Sequence, residues 1–202
     1  MSVSLEDIKK LNEMTGVGLT KAKKALVDAE GDFDKALKEM REKGLTKAEK
    51  RGDREAREGL IDSYVHDGRI GVLVEVNCET DFVARTDQFK ELAHEVALQV
   101  AAMNPKWVSD ADIPEDEKQS RRAEFEKAMA EDPKNAKKPE EIKNKIIDGQ
   151  MKKHYRDLVL LDQPYWKDDS KTIDTLVKET AARLGENIVV RRFARFELGV
   201  TE

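Results

Sequence analysis

The sequence predicts an α+β fold in which a small three-helix unit precedes an antiparallel sheet with packed helices. Three observations indicate this class. Residues 1–44 carry apolar side chains at helical spacing, interrupted by glycines. Residues 59–79 are rich in β-branched side chains around an Asp67-Gly68 turn signal, which is typical of a β-hairpin. Helix patterns and strand patterns then follow each other to the end of the chain.

The three-helix unit, residues 1–45, has signals for the start and end of each helix. A Ser, Thr or Asp side chain at an N-cap accepts a hydrogen bond from the first turn, and glycine adopts the left-handed conformation that ends a helix. The expected N-caps are Ser4, Thr20 and Asp32. The expected helix ends are Gly16, Gly31 and Gly44. A unit of this size is near the lower limit for folding without a metal or a disulfide.

Segment 46–58 has a basic character and few large apolar side chains, so we expect a basic linker that is partly helical. A solvated linker is favoured over contact with an acidic partner. The remaining residues, 59–202, are expected to form the α+β core. Its expected strands are residues 59–66, 70–77, 157–161 and 188–198. Its expected helices include residues 89–101 and 173–184.

The last predicted strand has apolar side chains on both faces. Strict alternation places on one face Ile188, Val190, Ala194, Phe196 and Leu198. The opposite face carries Val189 and Phe193, so something is expected to cover that side as well. We interpret the cover as a second subunit and predict a homodimer, with residues 187–198 as the candidate interface.

Residues 106–154 hold twelve Lys or Arg and twelve Asp or Glu residues, with few apolar ones. Two helix patterns flank a break between Pro133 and Pro139. Residues 112–150 are therefore predicted to form a helical hairpin that protrudes into solvent, held by a thin apolar seam and many ion pairs. Disorder of this segment is the alternative.

Charged residues make up 39% of the chain, against about 25% in an average globular protein, yet the net charge is only −5. This balance excludes the strongly basic signature of a nucleic-acid-binding protein. The single cysteine, Cys78, allows no intrachain disulfide, and no segment has the length and apolar character of a membrane span. With no targeting signal in the sequence, we expect a cytoplasmic protein that contacts neither membrane nor nucleic acid.

The sequence contains no convincing set of catalytic or metal-binding residues. His66, His94 and His154 are far apart and lack the spacing of a zinc site. Cys78 ends a strand with no base nearby, so a buried structural thiol is favoured over a nucleophile. The glycines around Gly16 match neither a dinucleotide fingerprint nor a phosphate-binding loop. We therefore expect no enzyme, no cofactor and no bound metal.

One connection contains an aromatic residue that a loop does not ordinarily need. Phe82 follows Asp81 between the valine-rich strand and the next helix pattern. On general grounds, such a ring folds down onto the core. The alternative is an exposed ring beside an acid, which enters a crevice in a partner.

The chain resembles the elongation factor Ts family, in its short bacterial or organellar form with a single core. The resemblance covers nearly the whole sequence, and its most specific part is the run Glu75-Val-Asn-Cys-Glu-Thr-Asp-Phe-Val-Ala84. The other matching segments are Leu11-Asn-Glu-Met-Thr-Gly-Val-Gly18, Lys23-Lys-Ala-Leu26 with Gly31-Asp32, Met151-Lys-Lys153, Gln163-Pro164 and Phe196-Glu-Leu-Gly199. Asn12 is a minor departure, because arginine is frequent there in the family.

The resemblance implies a guanine nucleotide exchange factor that binds elongation factor Tu with GDP, displaces Mg²⁺ and promotes GDP release, so that GTP can bind. The residues implied in magnesium displacement and partner binding are Thr80, Asp81, Phe82 and Val83. In the family a ubiquitin-associated-like module, here residues 1–45, contacts the partner's G domain. The residues implied in that contact are Thr15, Gly16, Val17, Gly18 and Lys23. The residues implied in facing the partner's third domain are Met151, Lys152, Gln163 and Pro164.

The resemblance also bears on the predicted hairpin and on the oligomeric state. The hairpin at about 112–150 resembles the coiled-coil protrusion of the family. The length of 202 residues leaves room for about one core subdomain, as in the short members that pair as dimers. Two other function classes remain open. A ubiquitin-associated-like binding or scaffold protein has no need of the segment 80–83, and a hydrolase or transferase lacks a convergent set of catalytic groups.

Overall fold

The computed structural model describes residues 3–200. Within that range, side chains are not described for Lys47, Pro133 and Ala136. The outermost residues of the two predicted terminal domains, 1–2 and 201–202, lie outside the described residues. The chain forms two compact units. One contains the described residues up to Leu98 together with those from Asp174 onward, and the other is Gln99–Ile173.

Helices and antiparallel strands are both present, so the predicted α+β class is confirmed. The helices, in chain order, are α1 (Leu5–Thr15), α2 (Leu19–Asp28), α3 (Phe33–Glu49), α4 (Asp81–Ala84), α5 (Asp87–Met103), α6 (Glu115–Glu131), α7 (Pro133–Ala136), α8 (Glu140–Arg156) and α9 (Ile173–Leu184). The strands are β1 (Glu58–His66), β2 (Ile70–Cys78), β3 (Pro164–Tyr165), β4 (Asp168–Thr172) and β5 (Val189–Glu197). No helix among residues 3–200 is both long enough and apolar enough to span a membrane.

The first three helices begin where local chemistry predicts, with one exception. Ser4 caps α1 by accepting from the amide of Asp7, and Asp32 caps α3 by accepting from the amide of Lys35. The predicted cap at Thr20 is wrong, because α2 begins at Leu19 and its N-cap residue has no side chain to offer. The shared core of the three helices is formed by Ile8, Leu11, Ala22, Ala25, Leu26, Ala29 and Ala36.

Helix α3 does not end at Gly44, contrary to the prediction, and continues to Glu49. At Gly44 the helix lies against α9, where an added Cβ would be 3.3 Å from the Cβ of Ala182. An ion pair of 3.8 Å joins Glu49 to Lys178 of α9. The missing side chain of Gly44 therefore permits close helix packing, and this tertiary contact outweighs the weak helix propensity of glycine. The predicted boundaries of the three-helix domain and the linker stay predictions.

Strands β1, β2 and β5 form an antiparallel sheet in the order β1-β2-β5. The predicted hairpin is confirmed, and its turn has positive φ at Asp67 and Gly68. Paired residues share a face, so Asp62 and Tyr64 lie on the buried face with the valines of β2. Helix α5 covers that face, because His94 Nδ1 lies 3.0 Å from Asp62 Oδ2 and the His94 ring contacts the ring of Tyr64. The buried valines are Val72, Val74 and Val76.

The strand β5 contains a bulge that the alternation pattern did not predict. Val190 pairs with Val76 and Arg192 pairs with Glu75, so Arg191 is an extra residue with no partner on β2. One extra residue in a strand exchanges the faces of all residues that follow it. The predicted assignment that puts Val190 on the same face as Ala194 and Phe196 is therefore wrong.

The bulge places the apolar residues of β5 on two faces in a different way from strict alternation. Val190 and Phe193 lie on the face that α5 covers, whereas Phe196 lies on the opposite face. The bulged Arg191 turns its guanidinium toward the sheet, where Nε donates to Asn77 Oδ1 over 3.0 Å. The opposite face, which we call the open sheet face, carries the apolar residues Ile61, Val65, Leu73, Ala194 and Phe196.

The unit Gln99–Ile173 differs from expectation around residues 157–161. This apolar run is not a strand, because Val159 forms only an isolated bridge with Trp107 and a single 3₁₀ turn follows at Leu160–Asp162. A short apolar run is buried equally well in several conformations, so its periodicity does not identify one. The small hairpin of β3 and β4 was not predicted.

The highly charged part of the same unit is helical. Helices α6 and α8 contact each other through Arg122, whose Nη1 donates to Asp148 Oδ1 over 2.8 Å and whose Nη2 donates to Asn144 Oδ1 over 3.3 Å. Met129 and Ile147 are buried among the predicted apolar positions. Ion pairs of this exposed kind contribute little individually, so the two buried side chains matter more than the charges.

Candidate functional site

The segment Thr80–Val83 lies directly after β2 and forms the start of the short helix α4. Thr80 is the N-cap residue, and its Oγ1 accepts from the amide of Val83 over 3.4 Å. The side chain of Ala84 at the end of this helix is buried. The connection predicted from the sequence is therefore a capped helical turn, anchored at both ends.

Phe82 is 78% exposed on this turn. The interpretation in which the ring folds onto the core is therefore wrong, and the alternative of an exposed ring holds. An exposed phenylalanine contributes almost nothing to the stability of the free protein, because only apolar surface that is removed from water stabilises the fold. The ring is available to a partner.

Asp81, beside Phe82, has its carboxylate partly exposed. Oδ2 accepts from Nη2 of Arg85 over 2.8 Å, one helical turn further on. This contact draws the carboxylate along the helix, while the neighbouring ring stays exposed. The acid is therefore displayed on the surface together with the positive charge of Arg85.

A residue far away in sequence holds the same turn. Glu186, just after α9, accepts hydrogen bonds from the backbone amides of Glu79 and Thr80 and from the hydroxyl of Thr80. Asn187 in turn donates its backbone amide to the Glu79 side chain over 2.6 Å. Neither residue was predicted from the sequence, because no local pattern marks a contact between positions more than 100 residues apart.

Cys78 is buried at the end of β2, and its Sγ donates to the carbonyl of Thr80 over 3.1 Å. Burial raises the pKa of this thiol to about 11, and the negative charge of Glu186 adds to the increase. The thiol is therefore protonated and inaccessible at neutral pH. The expectation of a structural thiol is confirmed.

The segment Thr15–Gly18 connects α1 and α2. Gly16 has a φ of +66°, and a Cβ at this position would lie 3.0 Å from the Cβ of Arg183 on α9. Thr15 donates its hydroxyl to the carbonyl of Leu11, and the Asn12 side chain donates to the carbonyl of Val17. Gly16 is thus required by both its conformation and its close neighbour. Gly18 and Lys23 are exposed.

The predicted site residues of the other unit lie in different environments. Met151 of α8 is partly buried against a cluster formed by Ile113, Tyr155 and Val159. Lys152, the next residue of the helix, is exposed. Lys152 therefore exposes its charge to solvent, whereas Met151 contributes to packing within its own unit.

Gln163 is only 1% exposed, and its side chain is fully engaged inside the unit. Nε2 donates to the carbonyl of Asp157 over 2.7 Å, and Oε1 accepts from Nε2 of Gln99 over 3.0 Å. Pro164 is partly exposed, and its carbonyl accepts from the same Gln99 amide. In this structure Gln163 holds the segment together, and its predicted contact with a partner stays a prediction.

Among residues 3–200, no group of three or more His, Cys, Asp or Glu side chains is arranged to hold a metal ion. The two sets of predicted site residues, before Leu98 and after Gln99, belong to different units. What the first set displays is an exposed aromatic ring and an acid on a rigidly held turn. Such a surface is suited to inserting into another macromolecule.

Comparison with known proteins shows the relationship directly. The family described as "Elongation factor TS" matches residues 6–200. The elongation factor Ts of Coprothermobacter proteolyticus is 51% identical over 200 residues, covering 98% of this chain and all of that protein. That of Thermoanaerobacter sp. is 50% identical, covering 98% and 95%. That of Thermodesulfovibrio yellowstonii is 44% identical, covering 100% and 99%. The chain therefore belongs to the elongation factor Ts family.

Proposed function

We propose that this protein is a guanine nucleotide exchange factor for elongation factor Tu in translation elongation. It binds elongation factor Tu with GDP and promotes GDP release, so that GTP can bind. The observation that carries the proposal is the exposed ring of Phe82 beside Asp81, held on a capped turn in a chain of this family.

Exchange of this kind requires differential binding and no chemical step. The exchange protein must bind its partner more tightly without the nucleotide than with it. By reciprocity, it then lowers the partner's affinity for the nucleotide by the same ratio. Burying a phenylalanine ring contributes about 1.5–3 kcal/mol. Since about 1.4 kcal/mol changes a rate tenfold, burial of Phe82 alone has the right magnitude for a large acceleration.

Displacement of Mg²⁺ is part of the proposal. Asp81 and Phe82 press between elements beside the partner's nucleotide site, and the magnesium ion is lost as those elements move. The ion neutralises phosphate charge, so its loss weakens GDP binding. Thr80 and Val83 support this contact because the Val83 amide donates to the Thr80 hydroxyl, which caps the turn.

The first three helices are proposed to form a ubiquitin-associated-like module that contacts the G domain of elongation factor Tu. The proposed contacts are Thr15, Gly16, Val17, Gly18 and Lys23. The exposure of Gly16, Gly18 and Lys23 supports this assignment. The contact of Gly16 with Arg183 supports a fixed orientation of the connection within its unit.

Helices α6 and α8 are proposed to form a protruding hairpin, and the segment around Lys152 and Pro164 is proposed to face the third domain of elongation factor Tu. The Arg122 contacts between the two helices support the hairpin. The exposure of Lys152 supports a contact with the partner. Met151 and Gln163 are proposed to shape this segment from inside, since both are engaged within their unit.

A homodimer through the open sheet face is also proposed. Leu73 at its centre is 49% exposed and Phe196 is 66% exposed, so a contiguous apolar surface faces solvent in the single chain. A two-fold axis pairs such a surface with its own copy. Glu75 on the same face is already paired with Arg192 over 2.7 Å, which lowers the pKa of the Glu75 carboxyl and leaves little unpaired charge to desolvate. Light scattering should therefore give twice the chain mass of 23.0 kDa, and a 23.0 kDa particle at micromolar concentration would overturn this part.

The test of the main proposal is release of a fluorescent GDP analogue from elongation factor Tu, followed with and without this protein. Acceleration at micromolar concentration supports exchange. Binding without acceleration would instead identify a scaffold or binding protein of the same fold. If the protein neither bound elongation factor Tu nor accelerated GDP release, the proposal would be refuted altogether.

A further inference from the structure

We propose that Glu186 is a positioning residue for nucleotide exchange, which fixes the turn that carries Asp81 and Phe82. The inference rests on the proposed exchange function and adds to it a residue from the α9–β5 connection. Glu186 lies outside every segment on which the resemblance to the family was based.

Both oxygens of the Glu186 carboxylate are used by the turn. Oε2 accepts from the amides of Glu79 and Thr80, each over 3.0 Å, and Oε1 accepts from Thr80 Oγ1 over 2.6 Å. Hydrogen bonds to an ionised acceptor are shorter and stronger than neutral ones. Three of them on two consecutive residues fix both the position and the direction of the chain at the N-cap.

The contact is reciprocal, so the Glu186 carboxylate is itself held in place. Glu79 Oε1 accepts from the amide of Asn187 over 2.6 Å. The Asn187 side chain donates to the carbonyls of Gly52 and Arg54 over 3.1 and 2.7 Å. We call this arrangement of Glu79, Thr80, Glu186 and Asn187 the clasp. It joins two connections within one compact unit.

Helix α4 depends on the clasp because it is only four residues long. A helix of this length does not persist by its own hydrogen bonds. Within it only Ala84 is buried, and Phe82 is exposed, so packing alone does not set the direction of the ring. Without Glu186 the two amides lose their acceptor, and the turn populates other conformations. The rate of exchange then falls with the population of the competent conformation.

The experiment compares Glu186→Ala with Glu91→Ala, a matched control in which an exposed glutamate of α5 is removed. Release of a fluorescent GDP analogue from elongation factor Tu is measured over a range of factor concentrations. Glu186→Ala is expected to lower the maximal rate about tenfold or more, with a smaller change in the half-saturating concentration. Glu91→Ala is expected to behave as the wild type, and Glu186→Gln should retain part of the rate, since the amide oxygen still accepts.

A double-mutant cycle separates positioning from general damage to the fold. If Glu186 acts by placing Phe82, then Glu186→Ala has little further effect in a Phe82→Ala background. Amide hydrogen exchange in the free protein provides a second readout, in which Glu79 and Thr80 lose protection while Val74 keeps it. Additive effects in the cycle, or a wild-type maximal rate for Glu186→Ala, would overturn the positioning role while exchange itself stands. An inactive wild-type protein would instead overturn the proposed function, and unchanged amide protection would overturn the clasp.

Discussion

Replacing Phe82 by alanine is expected to slow nucleotide exchange strongly and to leave the free protein as stable as before. The ring is 78% exposed, and neither the Thr80 cap nor the contact between Asp81 and Arg85 involves it. Substitutions at such positions change the free energy of unfolding by less than about 0.5 kcal/mol.

The size of the kinetic effect follows from the apolar area that the ring exposes in the free protein and would bury against the partner. If Phe82 becomes fully buried only as the nucleotide leaves, its removal raises the barrier to release by about 1.5–3 kcal/mol. The maximal rate of release should then fall roughly 10- to 150-fold. Stopped-flow release of a fluorescent GDP analogue at saturating factor measures this rate, and urea unfolding measures the stability.

Phe89 offers a matched control, because the same substitution there removes a ring that is 0% exposed. Phe89→Ala is expected to cost about 3–5 kcal/mol of stability through a cavity in the core. If Phe82→Ala destabilised the protein as Phe89→Ala does, Phe82 would be a core residue and its proposed role would be refuted. An unchanged maximal rate of exchange in Phe82→Ala would refute that role as well.

Three further predictions concern the sheet. Gly59→Ala should destabilise the protein by more than about 2 kcal/mol in urea unfolding, because φ is +146° and the new Cβ would overlap the Val76 carbonyl oxygen. Gly68 also has a positive φ but open space around it, so Gly68→Ala should lower the free energy of unfolding by about 1 kcal/mol. Equal destabilisation by Gly59→Ala and Gly68→Ala would contradict this explanation. Leu73→Lys should convert the proposed dimer to a particle of 23.0 kDa in light scattering with unchanged circular dichroism, whereas a persistent dimer would exclude the open sheet face. Burial raises the pKa of Cys78 from 9.0 to about 11, so the free energy of unfolding should fall as the pH rises from about 9 through about 11. Urea unfolding at several pH values should show this fall in the wild type, and Cys78→Ala should abolish it.

Much of the local structure could be predicted because the responsible interactions lie within a few residues of each other. The caps at Ser4 and Asp32 and the turn at Asp67-Gly68 are confirmed for this reason. Each depends on one side chain or one backbone preference, which the sequence states directly. For Phe82 the residues alone allowed two interpretations, the family resemblance favoured an exposed ring, and the observed exposure of 78% agrees with it.

The predictions that were wrong, and the features that were missed, depend on contacts between residues distant in the sequence. Helix α3 passes through Gly44 because Ala182 packs against it. The bulge at Arg191 changes the faces of β5, and no local pattern marks where an extra residue enters a ladder. A pattern of alternation counts residues, whereas the register between strands is set by the partner strand.

The sequence by itself determined the family, the α+β class and the segment Thr80–Val83 as the place to look for function. Only the tertiary structure decided that the Phe82 ring is exposed and that Glu186 holds the turn beneath it. The physical reason is the range of the interactions concerned. Caps and turns act between near neighbours, whereas the clasp joins residues more than 100 positions apart. Whether a ring stays exposed depends on everything that the folded unit packs around it.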